Sequence, residues 1–315
     1  MSARRIYIHH ESPDAFVGAI EARLPDWETV CWRTDEEFVQ GLPEAEVVLA
    51  YRPPRGHWAA ASRLRLLQMS GAGIDKLLPA PDLSPEVRIA NARGIHGAHM
   101  SEFALAMMLA FEKRLPTWLE HQQKREWVYH GMGSLAGKTL GILGLGAIGG
   151  DVARIGAALG LHVIGTQRTP KPVAGVQAVL PPERTAELLR QSDFLVVLLP
   201  LTDETRGLLD AEMLACLPRH AVLVNLARGG IVDEDALAAA LRERRLRGAA
   251  LDVFEREPLP RESPLWELPN AILTPHVSGW FPGYADGVAE ILGENLARLA
   301  SGEPLVNEVD PDRGY

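Results

Sequence analysis

The segment "KTLGILGLGAIGGDVARIGAALGLHVIG" (residues 138–165) constrains the fold of this chain more than any other. Its pattern is an apolar strand, a glycine turn, a helix with many small residues and a second apolar strand. Gly144, Gly146 and Gly149 follow the spacing G-x-G-x-x-G. In this context Gly144 would permit the tight turn, Gly146 the approach of a pyrophosphate, and Gly149 close helix–strand packing. The segment therefore predicts a dinucleotide-binding βαβ unit, although the glycine spacing alone would also fit a structural turn without a ligand.

Strand and helix patterns alternate along the rest of the chain, which predicts the α/β class. The fold expected is two Rossmann-like or flavodoxin-like domains, each with a parallel sheet, the cofactor domain being inserted into the substrate domain. We place the substrate domain at residues 1–97 plus 284–315 and the dinucleotide-binding domain at 98–283. The predicted strands cover residues 5–10, 28–32, 46–51, 64–70, 87–92, 193–200, 221–227, 248–254 and 270–276, and the main predicted helices cover 14–24, 99–115 and 284–302.

Charge and composition exclude several classes of partner. The formal net charge of the 315 residues is −9, whereas binding to nucleic acid or to an anionic membrane surface requires a basic face. Apolar runs are too short to span a bilayer, and the N-terminal stretch lacks the apolar region of a signal peptide. Cys31 and Cys216 lie far apart in apolar contexts typical of buried free thiols. We therefore expect a cytoplasmic protein.

Three polar residues follow predicted strands of the second domain: Arg228, Glu257 and His276. The carboxyl ends of parallel strands are where α/β proteins form ligand sites. Arginine binds a carboxylate through two parallel N–H bonds, and histidine exchanges a proton near neutral pH. A carboxylate beside the imidazole would orient the ring and favour its protonated form. Singly each residue would fit an ordinary structural role, but the three together predict acid–base chemistry on a carboxylic acid.

Several ordered motifs resemble the D-isomer-specific 2-hydroxyacid dehydrogenases. They are "MSGAGID", "GKTLGILGLGAIG", "LLPLTDETRGLLD", "VNLARGGIVDEDAL", "ALDVFEREPLP" and "LTPHVSG", and they extend over nearly the whole chain. The resemblance implies that Arg228, Glu257 and His276 are the catalytic arginine, glutamate and histidine. It implies that Asp252 contacts the nicotinamide carboxamide, and that the backbone amides of Ala72 and Gly73 hold the substrate carboxylate. It also implies a homodimer that pairs through the cofactor domain.

The remaining cofactor contacts are expected along the same motifs. The full predicted set is Gly144, Leu145, Gly146, Ala147, Ile148, Gly149, Gln167, Arg168, Thr169, Pro200, Thr205, Leu226, Ala227 and Asp252.

The choice of cofactor is indicated by the stretch "GTQRTPK" (165–171). The dinucleotide fingerprint places an acidic residue about 20 residues after the glycines, where it binds the ribose 2′-hydroxyl. Gln167 occupies that position here, and Arg168 follows it. An acid would repel a 2′-phosphate, whereas Arg168 can pair with one, with a hydrogen bond from Thr166 or Thr169 and added charge from Lys171. We therefore expect NADP(H) to be preferred, with NAD(H) possible.

The substrate is specified less closely than the cofactor. "YRPP", "SGAGID" and "HVSGW" are most similar to the glyoxylate/hydroxypyruvate reductase branch, which implies small 2-oxo acids reduced to D-2-hydroxy acids; bulkier 2-oxo acids stay open. Arg52, after a strand of the first domain, is a candidate contact for a polar substrate tail or else a solvated surface residue. Trp280 is a candidate wall of the pocket. His96 and His99 have a spacing that a metal could use, but without a third ligand nearby we expect structural roles and no metal.

Two other functions are compatible with the fold. Formate dehydrogenases resemble this chain but carry glutamine where Glu257 stands, so Glu257 disfavours that function. The alternative that stays open is a non-enzymatic, dinucleotide-sensing protein that binds protein partners, because such proteins can retain the catalytic residues.

Overall fold

The computed structural model describes residues 4–310 and divides them into two compact units. One unit combines the chain up to Ile95 with the chain from Phe281 onward, and the other is His96–Trp280. The sequence patterns predict divisions between the domains after residues 97 and 283. The structure divides the units after Ile95 and after Trp280, in the turns just before the helices that begin at Gly97 and Tyr284.

The chain up to Ile95 forms a five-stranded, all-parallel sheet with two helices. Its strands are β1 (Arg4–His9), β2 (Trp27–Trp32), β3 (Val47–Ala50), β4 (Leu66–Met69) and β5 (Arg88–Ala90), and its helices are α1 (Asp14–Arg23) and α2 (Asp35–Gly41). The strand order is β2-β1-β3-β4-β5. This is the flavodoxin-like order, in which the chain reverses its direction of travel across the sheet between β1 and β3.

The second unit forms a seven-stranded, all-parallel sheet. Its strands are β6 (Thr139–Leu143), β7 (His162–Thr166), β8 (Ala178–Leu180), β9 (Phe194–Val197), β10 (Val222–Asn225), β11 (Gly248–Leu251) and β12 (Ala271–Leu273), and its helices are α3 (Gly97–Glu112), α4 (Leu115–Lys124), α5 (Ala147–Ala158), α6 (Thr185–Gln191), α7 (Ala211–Ala215) and α8 (Glu234–Arg242). The strand order is β12-β11-β10-β9-β6-β7-β8. The order reverses between β6 and β9, so a Rossmann-type switch point lies directly beside the glycine turn that follows β6.

The last helix, α9 (Tyr284–Ser301), returns the chain to the first unit. Buried Asn295 donates a hydrogen bond to Gln68 Oε1 at 2.9 Å and another to the backbone oxygen of Val306 at 3.1 Å. The hydroxyl of Tyr284 donates to the backbone oxygen of Ser70 at 2.5 Å, and burial raises the pKa of this tyrosine. Buried polar groups with partners of this kind fix α9 against the end of β4.

Each sheet is buried on both faces, as parallel sheets require. In β9, Leu195 and Val197 pack into the core formed with α6, α7 and α8, whereas Phe194 and Val196 pack into the core formed with α3 and α5. In β1, Ile6 and Ile8 join the core under α1 and α9, and Tyr7 packs on the other face with α2. Burial on two faces explains why these strands are continuous apolar runs.

The predicted fold class is confirmed: both domains are α/β with parallel sheets, and one interrupts the other in the chain. Most strands are shorter than the apolar runs that predicted them, and β12 ends at Leu273 instead of residue 276, whereas β1 and β2 are as long as their predicted runs or longer. The short strand β8 and the helix α4 were not among the predicted elements. Among residues 4–310, no helix is long and apolar enough to cross a membrane.

Three-residue and four-residue 3₁₀ turns complete the regular structure at Leu42–Glu44, Trp58–Ala60, Pro182–Arg184 and Pro264–Glu267.

Candidate active site

The glycine turn between β6 and α5 has two positions at which the protein itself requires glycine. Gly144 has φ +102°, and a Cβ there would lie 3.0 Å from the backbone oxygen of Leu198. A Cβ on Gly149 would lie 2.2 Å from the oxygen of Gly144, so α5 packs directly on the turn. A Cβ on Gly146 would have open space around it: apart from the chain neighbours of Gly146, no described heavy atom lies within 4 Å. The φ of Gly146, −85°, suits any residue. The open side of Gly146, at the N-terminus of α5, therefore fits the pyrophosphate of a dinucleotide.

Gln167 ties the end of β7 to the glycine turn. Its side-chain amide donates to the backbone oxygen of Leu145 at 2.9 Å and accepts from the N–H of Lys171 at 3.2 Å. Thr166 is buried and its hydroxyl accepts from the N–H of Gly144, so of the two threonines proposed for a phosphate Thr166 serves the turn itself. Arg168 is exposed and forms an ion pair with Glu204 at 2.8 Å.

The loop after β12 is held by a single buried carboxylate, Asp252, at the end of β11. Its Oδ1 accepts from the hydroxyl of Thr274 at 2.6 Å and from the N–H of Val277 at 2.9 Å, and its Oδ2 accepts from the N–H of Ser278 at 2.9 Å. Asp252 is 0% exposed, so its charge must be satisfied by these donors. The donors lie on both sides of His276 in the chain, and Asp252 therefore fixes the segment that carries His276.

His276 and Glu257 form a close pair. The Nδ1 atom of His276 lies 2.9 Å from Oε1 and 3.0 Å from Oε2 of Glu257, and both side chains are largely buried. His276 has φ +55°, in the left-handed region that non-glycine residues rarely adopt and that often marks functional positions. Since the carboxylate accepts from Nδ1, proton exchange with a ligand falls to Nε2.

Arg228 lies in the turn after β10, the strand next to β11 in the sheet. The buried amide of Asn225 braces this turn by accepting from the N–H of Ala227 at 3.2 Å and donating to the oxygen of Arg228 at 3.3 Å. The guanidinium of Arg228 donates to the oxygen of Ala227 at 2.7 Å. The ends of β10, β11 and β12 thus carry Arg228, Asp252 and His276 at the same edge of the sheet.

His96, for which the sequence predicts a structural role, lies close to Gly279 in the segment after His276. A Cβ added to Gly279 would lie 3.3 Å from Cδ2 of the His96 ring. Burial, followed by the positive charge of Arg228 and by His99, lowers the pKa of His96 to about 4. The imidazole of His96 is therefore neutral at physiological pH, beside the arginine.

The other predicted site residues have these positions. The hydroxyl of Thr205 donates to the oxygen of Pro200 at 2.6 Å, which closes the turn after β9. Leu226 and Ala227 are buried behind Arg228, and Trp280 is 56% exposed. In the first unit, Arg52 lies over the ring of Tyr51 at 5.2 Å from its centroid and 3.8 Å from Glu11, and the oxygen of Ala72 accepts from Asn91 at 2.8 Å.

Sequence reasoning missed residues that hold the site together, namely Asn225, Thr274 and Ser278. Each lies within three residues of Arg228 or His276, which was the available signal. Thr274 and Ser278 bond to Asp252 at the end of the neighbouring strand, a pairing that the linear pattern does not reveal.

A glycine turn at a Rossmann switch point and a histidine–carboxylate pair define the class of nicotinamide-dependent oxidoreductases. Residues 105–278 match the family described as D-isomer specific 2-hydroxyacid dehydrogenase, NAD binding domain. The chain is 31% identical to glyoxylate/hydroxypyruvate reductase A of Salmonella choleraesuis, over 98% of this chain and 99% of that protein. It is 32% identical to D-3-phosphoglycerate dehydrogenase of Methanocaldococcus jannaschii over 88% of its length, but spans only 54% of that relative.

A solved structure from Xanthobacter autotrophicus Py2, a D-isomer specific 2-hydroxyacid dehydrogenase in complex with NADPH and MES, has the same fold. It is 38% identical, covers 100% of both chains and superposes with a TM-score of 0.90. The chain belongs to the D-isomer-specific 2-hydroxyacid dehydrogenase family, and the predicted resemblance is confirmed.

The contrast between Gly146 and Gly149 can be tested by substitution. We expect Gly146→Ala to keep the stability of the wild type but to weaken dinucleotide binding at least about tenfold, because its methyl group would enter the space for the pyrophosphate. Gly149→Ala should instead lower the thermal midpoint by several degrees, because its methyl group overlaps the Gly144 carbonyl. Thermal unfolding and fluorescence titration with a reduced dinucleotide measure both effects. Equal loss of stability in the two variants would contradict this interpretation.

Proposed function

We propose that this protein is an NADP(H)-preferring reductase of small 2-oxo acids, of the glyoxylate or hydroxypyruvate kind, that produces D-2-hydroxy acids. The observation that carries the proposal is the His276–Glu257 pair, with Nδ1 held at 2.9 Å by the carboxylate, at the same sheet edge as Arg228. Similarity to glyoxylate/hydroxypyruvate reductase A over nearly the full length of both proteins supports the substrate class.

A bound nicotinamide would supply the hydride that reduces the carbonyl carbon of the 2-oxo acid. His276 would give the proton on Nε2 to the developing alkoxide, while Glu257 holds the imidazolium through Nδ1. Arg228 would bind the substrate carboxylate and stabilise the negative charge that grows on the carbonyl oxygen. Asp252, through the N–H groups of Val277 and Ser278, keeps His276 in its unusual backbone conformation during the exchange.

Ala72, Gly73 and Arg52 belong to the first unit. The role of Ala72 and Gly73 in holding the substrate carboxylate rests on the family resemblance, whereas that of Arg52 in meeting a polar substrate tail rests on its position after β3. Trp280 is exposed immediately after the His276 loop, which suits a pocket wall. A compact substrate is favoured by the reductase relative, whereas a bulkier 2-oxo acid is the alternative within the family. We place the enzyme in the cytoplasm on the basis of the sequence.

Oxidation of NADPH with a panel of 2-oxo acids tests the function directly. We expect the highest kcat/KM with glyoxylate or hydroxypyruvate, and lower values with pyruvate and phenylpyruvate. His276→Gln should lower kcat by about 10²–10⁴-fold because the proton donor is lost. Arg228→Ala should lower kcat/KM by about 10²–10³-fold because a charged donor to the oxyanion is lost.

The control is His162→Gln, which replaces an exposed histidine at the start of β7 and should leave kcat and kcat/KM unchanged. Absence of turnover with every acid would favour the dinucleotide-sensing alternative. A preference for phenylpyruvate would favour the bulkier substrate class, and near-normal activity of His276→Gln would overturn the assignment of the proton donor.

The preference for NADP(H) rests on the end of β7. Gln167 stands where an acid would repel a 2′-phosphate, and its amide is anchored to Leu145. Arg168 pairs with Glu204, but both side chains are more than half exposed, and exposed pairs contribute at most about 1 kcal/mol. A 2′-phosphate can therefore displace Glu204 at little cost. The related protein from Xanthobacter autotrophicus was solved with NADPH.

Substitutions of the two partners of the Arg168–Glu204 ion pair should have opposite effects on KM for NADPH. Arg168→Ala should raise KM for NADPH about tenfold and leave KM for NADH within about twofold, because only NADPH carries the 2′-phosphate. Glu204→Gln should lower KM for NADPH, because a competing anion is removed. Steady-state kinetics with both cofactors, at low and high salt, measure these changes. Better kcat/KM with NADH than with NADPH in the wild type would contradict the proposal.

A homodimer through the cofactor domain is supported by one exposed apolar segment, residues 115–132. Trp127 and Tyr129 are 88% and 87% exposed, and Leu115, Leu119, Val128 and Met132 are also exposed. Apolar residues concentrated in this way are typical of protein interfaces. The segment carries both acidic and basic residues, which suits pairing with a second copy of the same surface.

Removing the two most exposed aromatic residues tests this dimer. Trp127→Ser combined with Tyr129→Ser should convert a dimer into a monomer at micromolar concentration, because the apolar centre of the interface is lost. Size-exclusion chromatography with light scattering measures the mass. Trp266→Ser, at an exposed tryptophan outside residues 115–132, is the control and should remain dimeric. A monomeric wild type would refute the dimer.

A further inference from the structure

Glu234 contacts the turn that carries Glu257 but takes no direct part in the proposed reaction. It is the first residue of α8, directly after the helix cap Asp233, whose side chain accepts from the N–H of Ala236 at 2.9 Å. The capping bond fixes the first turn of α8 and with it the backbone of Glu234. Oε1 of Glu234 accepts a short hydrogen bond, 2.5 Å, from the N–H of Glu255.

The N–H of Glu255 lies inside the turn that presents Glu257. That turn begins at buried Asp252, and within it the N–H of Phe254 donates to Oε1 of Glu257 at 3.3 Å. The same carboxylate oxygen lies 2.9 Å from Nδ1 of His276. A hydrogen bond from Glu255 to Glu234 therefore joins α8 to the backbone two residues before Glu257.

The loop that carries Arg228 meets this turn at the same peptide. A Cβ on Gly229 would lie 2.0 Å from the carbonyl carbon of Phe254 and 2.3 Å from the nitrogen of Glu255. The Phe254–Glu255 peptide is thus packed against Gly229 and is also bonded to Glu234. Loss of the bond to Glu234 would loosen a peptide that lies in the Glu257 turn and packs against the Arg228 loop.

The surroundings of Glu234 are acidic. Burial, followed by the charges of Glu255, Asp235 and Glu257, raises the pKa of Glu234, while the hydrogen bond from Glu255 opposes the rise. Around His276, the carboxylates that the structure records are Glu257 in direct contact and Asp252 through the N–H groups of Val277 and Ser278. The hydrogen bond from the Glu255 N–H therefore holds the Glu234 carboxylate in place against the repulsion of its acidic neighbours.

We propose that Glu234 is a positioning residue that holds the Glu257 turn by accepting from the Glu255 N–H. This inference rests on the proposed function, in which His276 is the proton donor and Glu257 its partner. It differs from an ordinary helix-start role for an acidic residue, since that role would affect stability but not kcat.

Three variants separate geometry, charge and stability. Glu234→Gln keeps an oxygen acceptor for the Glu255 N–H but removes the charge, and Glu234→Ala removes both. Asp235→Asn is the matched control, because it removes a charge from the same helix turn at an exposed neighbour. For each variant, kcat and KM are measured across pH, and thermal unfolding measures the stability.

We expect Glu234→Gln to keep kcat within about twofold, because its amide oxygen still accepts from the Glu255 N–H. Glu234→Ala should lower kcat about tenfold with KM little changed, because the Glu257 turn is no longer held. Asp235→Asn should leave both kcat and KM within about twofold of the wild type. An unchanged kcat in Glu234→Ala, or a loss in Asp235→Asn as large as in Glu234→Ala, would overturn the inference.

Instability and loss of the proposed function are separated by one further variant. If Glu234→Ala unfolds, Glu234→Asp decides the inference: it keeps a charged helix start, but its shorter side chain no longer reaches the Glu255 N–H, so kcat should still fall. If the wild type reduces no 2-oxo acid, the proposed function fails, whereas faster hydrogen exchange of the Glu255 amide in Glu234→Asp than in the wild type still shows that Glu234 holds the turn.

Discussion

The buried carboxylate of Asp252 is the interaction on which the geometry of this site depends. A carboxylate removed from water is tolerated only when hydrogen bonds replace its hydration, and hydrogen bonds to charged groups contribute about 1.5–3 kcal/mol each. Asp252 accepts three such bonds, from Thr274, Val277 and Ser278. They enclose His276, whose backbone lies in the left-handed region. The free energy of those bonds offsets the strain at His276, which is of order 1–3 kcal/mol.

The parallel sheet explains why these groups meet at one edge. Every strand of the second unit runs in the same direction, so the turns after β10, β11 and β12 all leave the sheet at its carboxyl edge. Residues far apart in the chain, such as Asp252 and His276, therefore follow neighbouring strands. The glycine turn after β6 leaves the same edge at the switch point, where the helices on either side diverge and make room for a ligand.

Much of this arrangement was predictable. The apolar runs located the core strands because parallel strands buried on both faces need continuous hydrophobic residues. The glycine spacing located the turn, since Gly144 and Gly149 are required by close backbone contacts. Elements with weak apolar patterns were not predictable: β8 is three residues long, and α4 leaves all its residues at least partly exposed. The ends of several strands were also predicted too late, because apolar residues continue into the turns that follow them: Leu198 and Leu199 after β9 are half-buried, and Leu226 and Ala227 after β10 are buried.

The sequence by itself determined the family and the two parallel-sheet domains, because these depend on residue types at regular spacings, and it predicted Arg228, Glu257 and His276 as the reactive groups. Only the tertiary structure decided how those groups are held: that Gln167 braces the glycine turn, that Asp252 serves the His276 loop, and that Glu234 grips the turn before Glu257. Each of these contacts joins residues on different elements. Their pairing follows from the order of strands in the sheet, and strand order is set by long-range packing, which no local pattern of residues records.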